Sequence, residues 1–302
     1  MRRTSSSRGF TLIEILIALA IFAVVIAQAF AVFGAQHVTY TGTERAIEVQ
    51  EDVRLVTEAV LSDVRMAGYM VPKVAGISSV DGGNANADMV CVSDPSKIAD
   101  SEVDKATARF DEARVAFSAV GAGDNSVQVD TVDVDGDGNP SGQPDFRVGE
   151  GIILADDTSS HCAIISNVAG TTITFAPVTP AGFSAAVDSG RAVPAIAYQV
   201  SGSDLLRNGL RLSTEVEDLQ IEFGIDGDGD GQIAAGEFHD VLNGQDPLDL
   251  LAVRLSVIAR ADREDEELLT SGRPAAANRT AGAADGFRRR KVIARVVPRN
   301  LL

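Results

Sequence analysis

From Phe10 to Gly34 the chain reads FTLIEILIALAIFAVVIAQAFAVFG, apolar except for Thr11, Glu14 and Gln28. A bilayer-spanning helix needs about 20 apolar residues, and this run supplies them. Ahead of it, MRRTSSSRG is short, polar and basic through Arg2, Arg3 and Arg8. Basic residues on that side hold the amino terminus in the cytoplasm and put the rest of the chain outside. A secretory signal would have a shorter apolar core, about 7–15 residues, ending at a small-residue cleavage site. A plain anchor leaves Glu14 unexplained. A charge at the centre of a bilayer helix costs roughly 2.5–3.5 kcal/mol, less near the edge, and such residues are usually functional.

The string Arg8-Gly9-Phe10-Thr11-Leu12-Ile13-Glu14 resembles the type IV prepilin motif. The resemblance implies cleavage between Gly9 and Phe10 by a membrane prepilin peptidase, followed by N-methylation of Phe10. Glu14 then becomes the fifth residue of the mature chain. A neighbouring subunit's terminal amine can neutralise it inside an apolar bundle, which favours insertion in one register. The implied location is the bacterial inner membrane, crossed once with the head outside the cytoplasm, and a pilus or pseudopilus after assembly. The implied partners are the peptidase, other major and minor pilins, and the inner-membrane assembly machinery.

After Gly34 no proline appears until Pro72. Val49, Val53, Val56, Val60 and Val64 recur at spacings of four, three, four and four, one face of a helix with charged residues opposite. Gly68 and Pro72 supply a stop. The reading is one long helix, with a break expected near Gly34 or Gly42.

Beyond about Val71 the period changes to two. Leu219, Ile221, Phe223 and Ile225 alternate with Asp218, Gln220, Glu222 and Gly224, a half-buried strand. Leu251, Val253, Leu255, Val257 and Ala259 form a second. Gly151–Ala155, Cys162–Val168 and Thr171–Ala176 read as an antiparallel meander, and Lys291–Val297 as a final strand preceded by basic residues. Ala261–Gly286 and Val80–Asp88 read as exposed loops. The expected class is therefore α+β and pilin-like, with a long amino-terminal helix packed on an antiparallel sheet. The segments are a leader at 1–9, a transmembrane or filament-core helix at 10–34, an amphipathic continuation at 35–68 and a β-rich periplasmic head at 69–302.

The head carries its own resemblance. Asp63-Val64-Arg65-Met66-Ala67-Gly68-Tyr69 is similar to the "DIRxAGY" helix end of PilW-like minor pilins. Val216 to Gln220, followed by Phe223-Gly224-Ile225-Asp226, resembles their "VEDLQxxYGVD" strand with Phe223 in the tyrosine slot. Ala252 to Ser256, Arg289-Arg290 through Val297, and Arg299-Asn300 resemble their closing strands. The resemblance implies a low-copy subunit that helps initiate or cap pilus assembly. Pseudopilin J of type II secretion shares the closing pattern and is the alternative; a tip-located calcium-dependent adhesin is a further one.

Asp226 to Glu237 reads DGDGDGQIAAGE and fits D-x-[DN]-x-[DN]-G-x5-E. Asp226, Asp228 and Asp230 hold positions one, three and five, Gln232 offers a carbonyl at seven, and Glu237 closes the set at twelve, as a calcium loop requires. A strand rather than a helix precedes it, which excludes the opening of a helix pair. Asp133, Asp135 and Asp137 begin a second such loop, but Pro144 stands where its closing glutamate belongs. In an oxidising compartment Cys91 and Cys162 are the obvious disulfide pair.

The charge balance, 43 acidic against 26 basic residues with no Trp, repels phosphate backbones and argues against a nucleic-acid partner. His37, His161 and His239 stand apart, with no nucleophile motif around them, and no phosphate-cradling loop occurs. The expectation is a structural subunit and not an enzyme.

Overall fold

Valine is a poor helix former, so a helix with five valines on one face depends on what that face meets. In the computed structural model α1 runs Leu12–Met66, and Val49, Val53, Val56, Val60 and Val64 are all buried. The structure describes residues 11–69, 71–97, 103–104, 109–110, 119–129, 145–156, 158–180, 183–184, 190–242, 244–264 and 272–301. The leader, Gly9, Phe10, Asp133, Asp135 and Asp137 lie outside the described residues. The chain divides into two compact units, the first ending at Ile47 and the second running from Glu48 to Leu302.

In the first unit, the apolar side chains from Leu12 to Phe33 are exposed. The expected break is not there: α1 passes through Gly34 and Gly42 without interruption. A lone glycine costs only about 1 kcal/mol relative to alanine and leaves its backbone hydrogen bonds intact, whereas proline would remove one. Thr39 and Thr43 bond their hydroxyls back to the carbonyls of Ala35 and Thr39, so neither presents an unpaired group.

The second unit is built from strands β1 (Ile77–Val80), β2 (Met89–Ser93), β3 (Val103–Asp104), β4 (Arg109–Phe110), β5 (Ser126–Gln128), β6 (Gly151–Ala155), β7 (Ser160–Ala169) and β8 (Thr172–Ala176). The chain continues through β9 (Arg191–Ser201), β10 (Asp204–Arg207), β11 (Leu210–Ser213), β12 (Val216–Ile225), β13 (Phe238–His239), β14 (Leu250–Glu264) and β15 (Phe287–Val296). Among the described residues these form an antiparallel sheet ordered β1-β2-β9-β6-β7-β8-β5, with β10 and β11 beside β9. A second sheet is ordered β13-β12-β14-β15, and β3 pairs with β4.

Two cores result. One gathers Cys91, Ile152, Ile153, Leu154, Cys162, Ile173, Phe175 and their neighbours. The other joins the α1 valines to Leu219, Ile221 and Phe223 of β12, to Val253, Leu255 and Val257 of β14, and to Val90, Val92, Ile196 and Tyr198. Period-two alternation explains how β2 serves both: Val90 and Val92 face the helix core while Cys91 faces the other. Burying each valine contributes about 1.5–3 kcal/mol, so the five together outweigh their weak helix propensity.

The end of α1 is closed by the other end of the chain. A terminal turn leaves carbonyls without helical partners. Here Arg299 N donates to Arg65 O and Asn300 Nδ2 to Met66 O at 3.2 Å. Gly68 takes φ +77°, and its N–H donates to Ser93 Oγ at 3.0 Å.

Several strand readings need correction. Asp218, Gln220 and Glu222, expected to face solvent, are buried, because residues from 272 onward and the 84–86 turn cover that side of β12. The expected loop at Ala261–Gly286 begins as strand, since β14 extends to Glu264, and Arg273 and Ala276 within it are buried. In the Val80–Asp88 turn, Asp88 is likewise buried. A bulge at Gly224/Ile225 puts Leu250 rather than Leu251 opposite Ile225. The final strand runs Phe287–Val296, so Arg288 to Arg290 lie within it and not before it.

Candidate functional site

At the start of α1, Thr11 and Glu14 cap one another. Glu14 Oε2 accepts from Thr11 N at 2.8 Å and from Thr11 Oγ1 at 2.9 Å, while Glu14 N donates to Thr11 Oγ1 at 3.4 Å. This reciprocal arrangement satisfies orphan donors at a helix amino terminus. It fixes the glutamate on the first turn, beside the position where the motif puts the mature terminus. Glu14 is exposed, as are Ile13, Ile15 and Ile17 around it, so this end of the helix offers an apolar surface carrying one carboxylate.

The acidic loop lies between β12 and β13. Asp226 Oδ1 accepts from Gly229 N and Asp230 N, and its Oδ2 from Gly231 N at 2.9 Å. Gly231 has φ +76°, a conformation that glycine enters freely, and that conformation turns its N–H inward. Glu237 accepts from Gly227 N through Oε1 and from Ala234 N through Oε2. One oxygen each from Asp226, Asp228 and Glu237 lies within 4.8 Å of the other two. Calcium takes oxygens at about 2.3–2.6 Å, so a single ion fits among three spaced this way. Asp230 and Gln232 sit in the same turn outside that trio; Asp230 Oδ1 accepts from Gln232 N.

Cys91 on β2 and Cys162 on β7 are joined in a disulfide with Cα atoms 5.4 Å apart, and both are fully buried. In the sheet order these strands are separated by β9 and β6, so the bond crosses a sheet curled on itself. Ser160 Oγ donates to Ser78 Oγ across the same closure.

Three polar constellations escaped the sequence reading. Asp218, wholly buried, pairs with Arg273 at 2.9 Å and Arg279 at 2.8 Å. Asp63 of α1 accepts from Tyr198 Oη and from Arg207 Nε at 3.0 Å; burial and that carboxylate push the Tyr198 hydroxyl above the ordinary phenol range. Glu215, just before β12, is 8% exposed, and burial first, then the charges of Asp52 and Glu48, raise its carboxyl to about 7. For Asp218 the only signal was polar residues alternating along a strand, the same pattern that marks a solvated face, while Asp63 stood out only as part of the helix-end motif. His161 is buried against Phe175 and Phe183 with Nε2 against Pro177 O, and burial holds its pKa down, so it is a packed histidine.

Comparison with known proteins accords with this anatomy. The prokaryotic N-terminal methylation motif matches residues 4–27. The family of type IV pilus-assembly protein W matches residues 186–300, which takes in β12, β14, β15 and the tail that closes α1. A pilin-like protein, PilA3 of Thermus thermophilus, is 41% identical over 61 residues, 20% of this chain and 26% of the relative. The match thus spans about a quarter of that relative's length. No solved structure matches. A methylation motif leading into one long helix, with antiparallel sheets after it, defines a type IV prepilin-like protein. Within that class the chain is PilW-like.

Proposed function

We propose that this chain is a minor pilin, a low-copy subunit that takes part in initiating or capping type IV pilus assembly. Prepilin peptidase cuts between Gly9 and Phe10 and methylates Phe10. The apolar helix holds the subunit in the inner membrane with its head outside the cytoplasm, and the assembly machinery then draws it into the filament beside other pilins. The observation that carries the reading is the coupling of two features in one chain: a methylation motif followed at once by a helix with exposed apolar residues around Glu14, and a PilW-type carboxy-terminal region. That region includes the closing pattern shared with pseudopilin J, so its match to the pilus-assembly family favours the pilus over the secretion system. The match to the pilus-assembly family supports a structural role for the subunit.

The loop of Asp226, Asp228 and Glu237 is read as a calcium site, with Asp230 and the Gln232 carbonyl completing the oxygen set. The carboxylate spacing and inward N–H groups support that reading. A bound cation there would neutralise crowded charge and stiffen the β12–β13 connection.

The test of the assembly role is Glu14→Ala expressed in place of the native chain. Membrane insertion and leader cleavage should persist, while recovery of the subunit in sheared filaments should fall. Undiminished recovery would remove Glu14 from the account.

A further inference from the structure

Strand β15 ends the second sheet: in the order β13-β12-β14-β15 no strand lies beyond it among the described residues. Alternate N–H and C=O groups of an edge strand point away from its neighbour and stay open to pairing. Proteins guard such edges with short strands, bulges or prolines. β15 has ten residues, keeps its register with β14 unbroken from Arg289 to Val296, and holds no proline. Its side chains divide by face. Val292, Ala294 and Val296 pack toward the helix core. On the opposite face Ile293 is 56% exposed, and Arg295 beside it is exposed as well.

The charges along this edge are unbalanced, although the chain as a whole has 43 acidic residues against 26 basic ones. On the neighbouring strand Arg254 pairs with Glu222, and within β15 itself Arg289 pairs with Glu217 and Asp285. Arg290 and Arg295 are exposed, and neither has a carboxylate partner among the described residues. Arg295 also stands opposite Arg254 in the register, and like charges so placed repel. The two guanidinium groups share the Phe238 ring, Arg254 at 3.8 Å and Arg295 at 5.8 Å. The carboxylate is not shared: Glu222 answers Arg254 alone.

We propose that β15 is a docking edge for an extended acidic segment of another polypeptide, which adds to the sheet as a further antiparallel strand. Backbone bonds hold such a segment, and alternate side chains select it. Arg295 calls for a carboxylate opposite. Ile293, two residues earlier on the same face, calls for an apolar side chain, and Arg290, five earlier on the other face, for a second carboxylate. Along an antiparallel partner this reads acid–x–apolar–x–x–acid. A second copy of β15 does not meet the pattern. Pairing β15 with itself would set Arg288, Arg290, Lys291 and Arg295 against the same basic residues, and charged edges guard against that pairing. An acidic strand is drawn to the same charges.

The test uses the full mature chain in non-ionic detergent and a terminally blocked synthetic peptide of that pattern, with glutamate at the acid positions, valine at the apolar one and threonine elsewhere. Fluorescence anisotropy should show saturable binding, and a peptide of the same composition in scrambled order should bind at least about tenfold more weakly. Two further peptides, N-methylated at alternate residues, separate strand addition from charge attraction. Only the one whose methyl groups fall on the N–H groups facing β15 should lose binding. Hydrogen exchange over residues 287–296 should slow when the pattern peptide is added. Arg295→Glu, at an exposed position opposite Arg254, should melt no lower than wild type yet bind at least about tenfold more weakly. A peptide with lysine in place of the glutamate that faces residue 295 should restore its binding. No binding at about 1 mM pattern peptide, equal binding of the scrambled peptide, or binding retained by both N-methylated peptides overturns the proposal. So does a mature chain that dimerises in detergent with its 287–296 amides already protected, because a second copy then holds the edge.

Discussion

Leu301, one residue from the end of the chain, packs against Gly68, the residue that ends the helix begun near the other terminus. A Cβ on Gly68 would fall 2.0 Å from Leu301 Cδ2, and Leu301 is fully buried. The tail residues Arg299 and Asn300 bond the last carbonyls of α1 beside this contact. The two short motifs that resemble PilW sequence most locally, AGY after the helix and RN near the end, are thus the two halves of one joint.

Gly68→Ala should therefore be among the most damaging small substitutions. It adds a methyl where Leu301 sits and forces a non-glycine residue to φ +77°. Strain of about 1–2 kcal/mol and overpacking of about 1–3 kcal/mol combine, and the melting temperature of the full chain in detergent should fall clearly. Asn300→Ala should cost about 1 kcal/mol, one hydrogen bond. If Gly68→Ala melts like the wild type, the joint is misassigned.

Much of this architecture is legible from spacing. The valine face of α1, the β6–β8 meander and the alternation of β12 and β14 each follow from a period imposed by backbone geometry. What spacing does not carry is what covers the second face of a strand. Asp218, Gln220 and Glu222 look solvated because their partners are distant in sequence or on a neighbouring strand: Arg273 and Arg279 for Asp218, Asn86 O for Gln220 and Arg254 for Glu222. β9 escapes notice for another reason. It is buried on both faces over most of its length, so it lacks alternation, and Pro194 interrupts it. That proline is tolerated where β2 ends, its carbonyl accepting from Asp94 N.

The buried Asp218 triad should be sensitive to removal of its anion. Asp218→Ala leaves Arg273 and Arg279 in a dry site without their counter-charge, a loss of about 3–5 kcal/mol when one member of a buried ion pair is deleted. Thermal unfolding measures it. A cost below about 1 kcal/mol would mean that water reaches the two guanidinium groups.

Reducing the disulfide should weaken the head without changing its topology. The bond closes a loop with a sequence separation of 71, worth about 4 kcal/mol of chain entropy. Protein taken from its native compartment should titrate with no free thiol, and reductant should lower its melting temperature. Two titratable thiols in that material would contradict the assignment.

Calcium should bind the Asp226–Glu237 loop weakly and stabilise modestly. Loops of the extracellular type bind at about 10⁻⁴–10⁻³ M, which at about millimolar calcium adds only about 0.4–1.4 kcal/mol. Asp228→Ala combined with Asp230→Ala should abolish the calcium-dependent rise in melting temperature and leave the chelated protein no less stable, since crowded carboxylates have been removed. Calorimetry showing no heat of binding at millimolar calcium would reduce the loop to an acidic turn.

The account stands or falls on the amino terminus of the protein found in filaments. Filaments should be sheared from cells, digested, and their peptides weighed by mass spectrometry. The account predicts that the first peptide of this chain begins at Phe10 and is heavier by one methyl group on its terminal amine. A chain that keeps Met1, or one cut near Ala31 to Ala35, would contradict it.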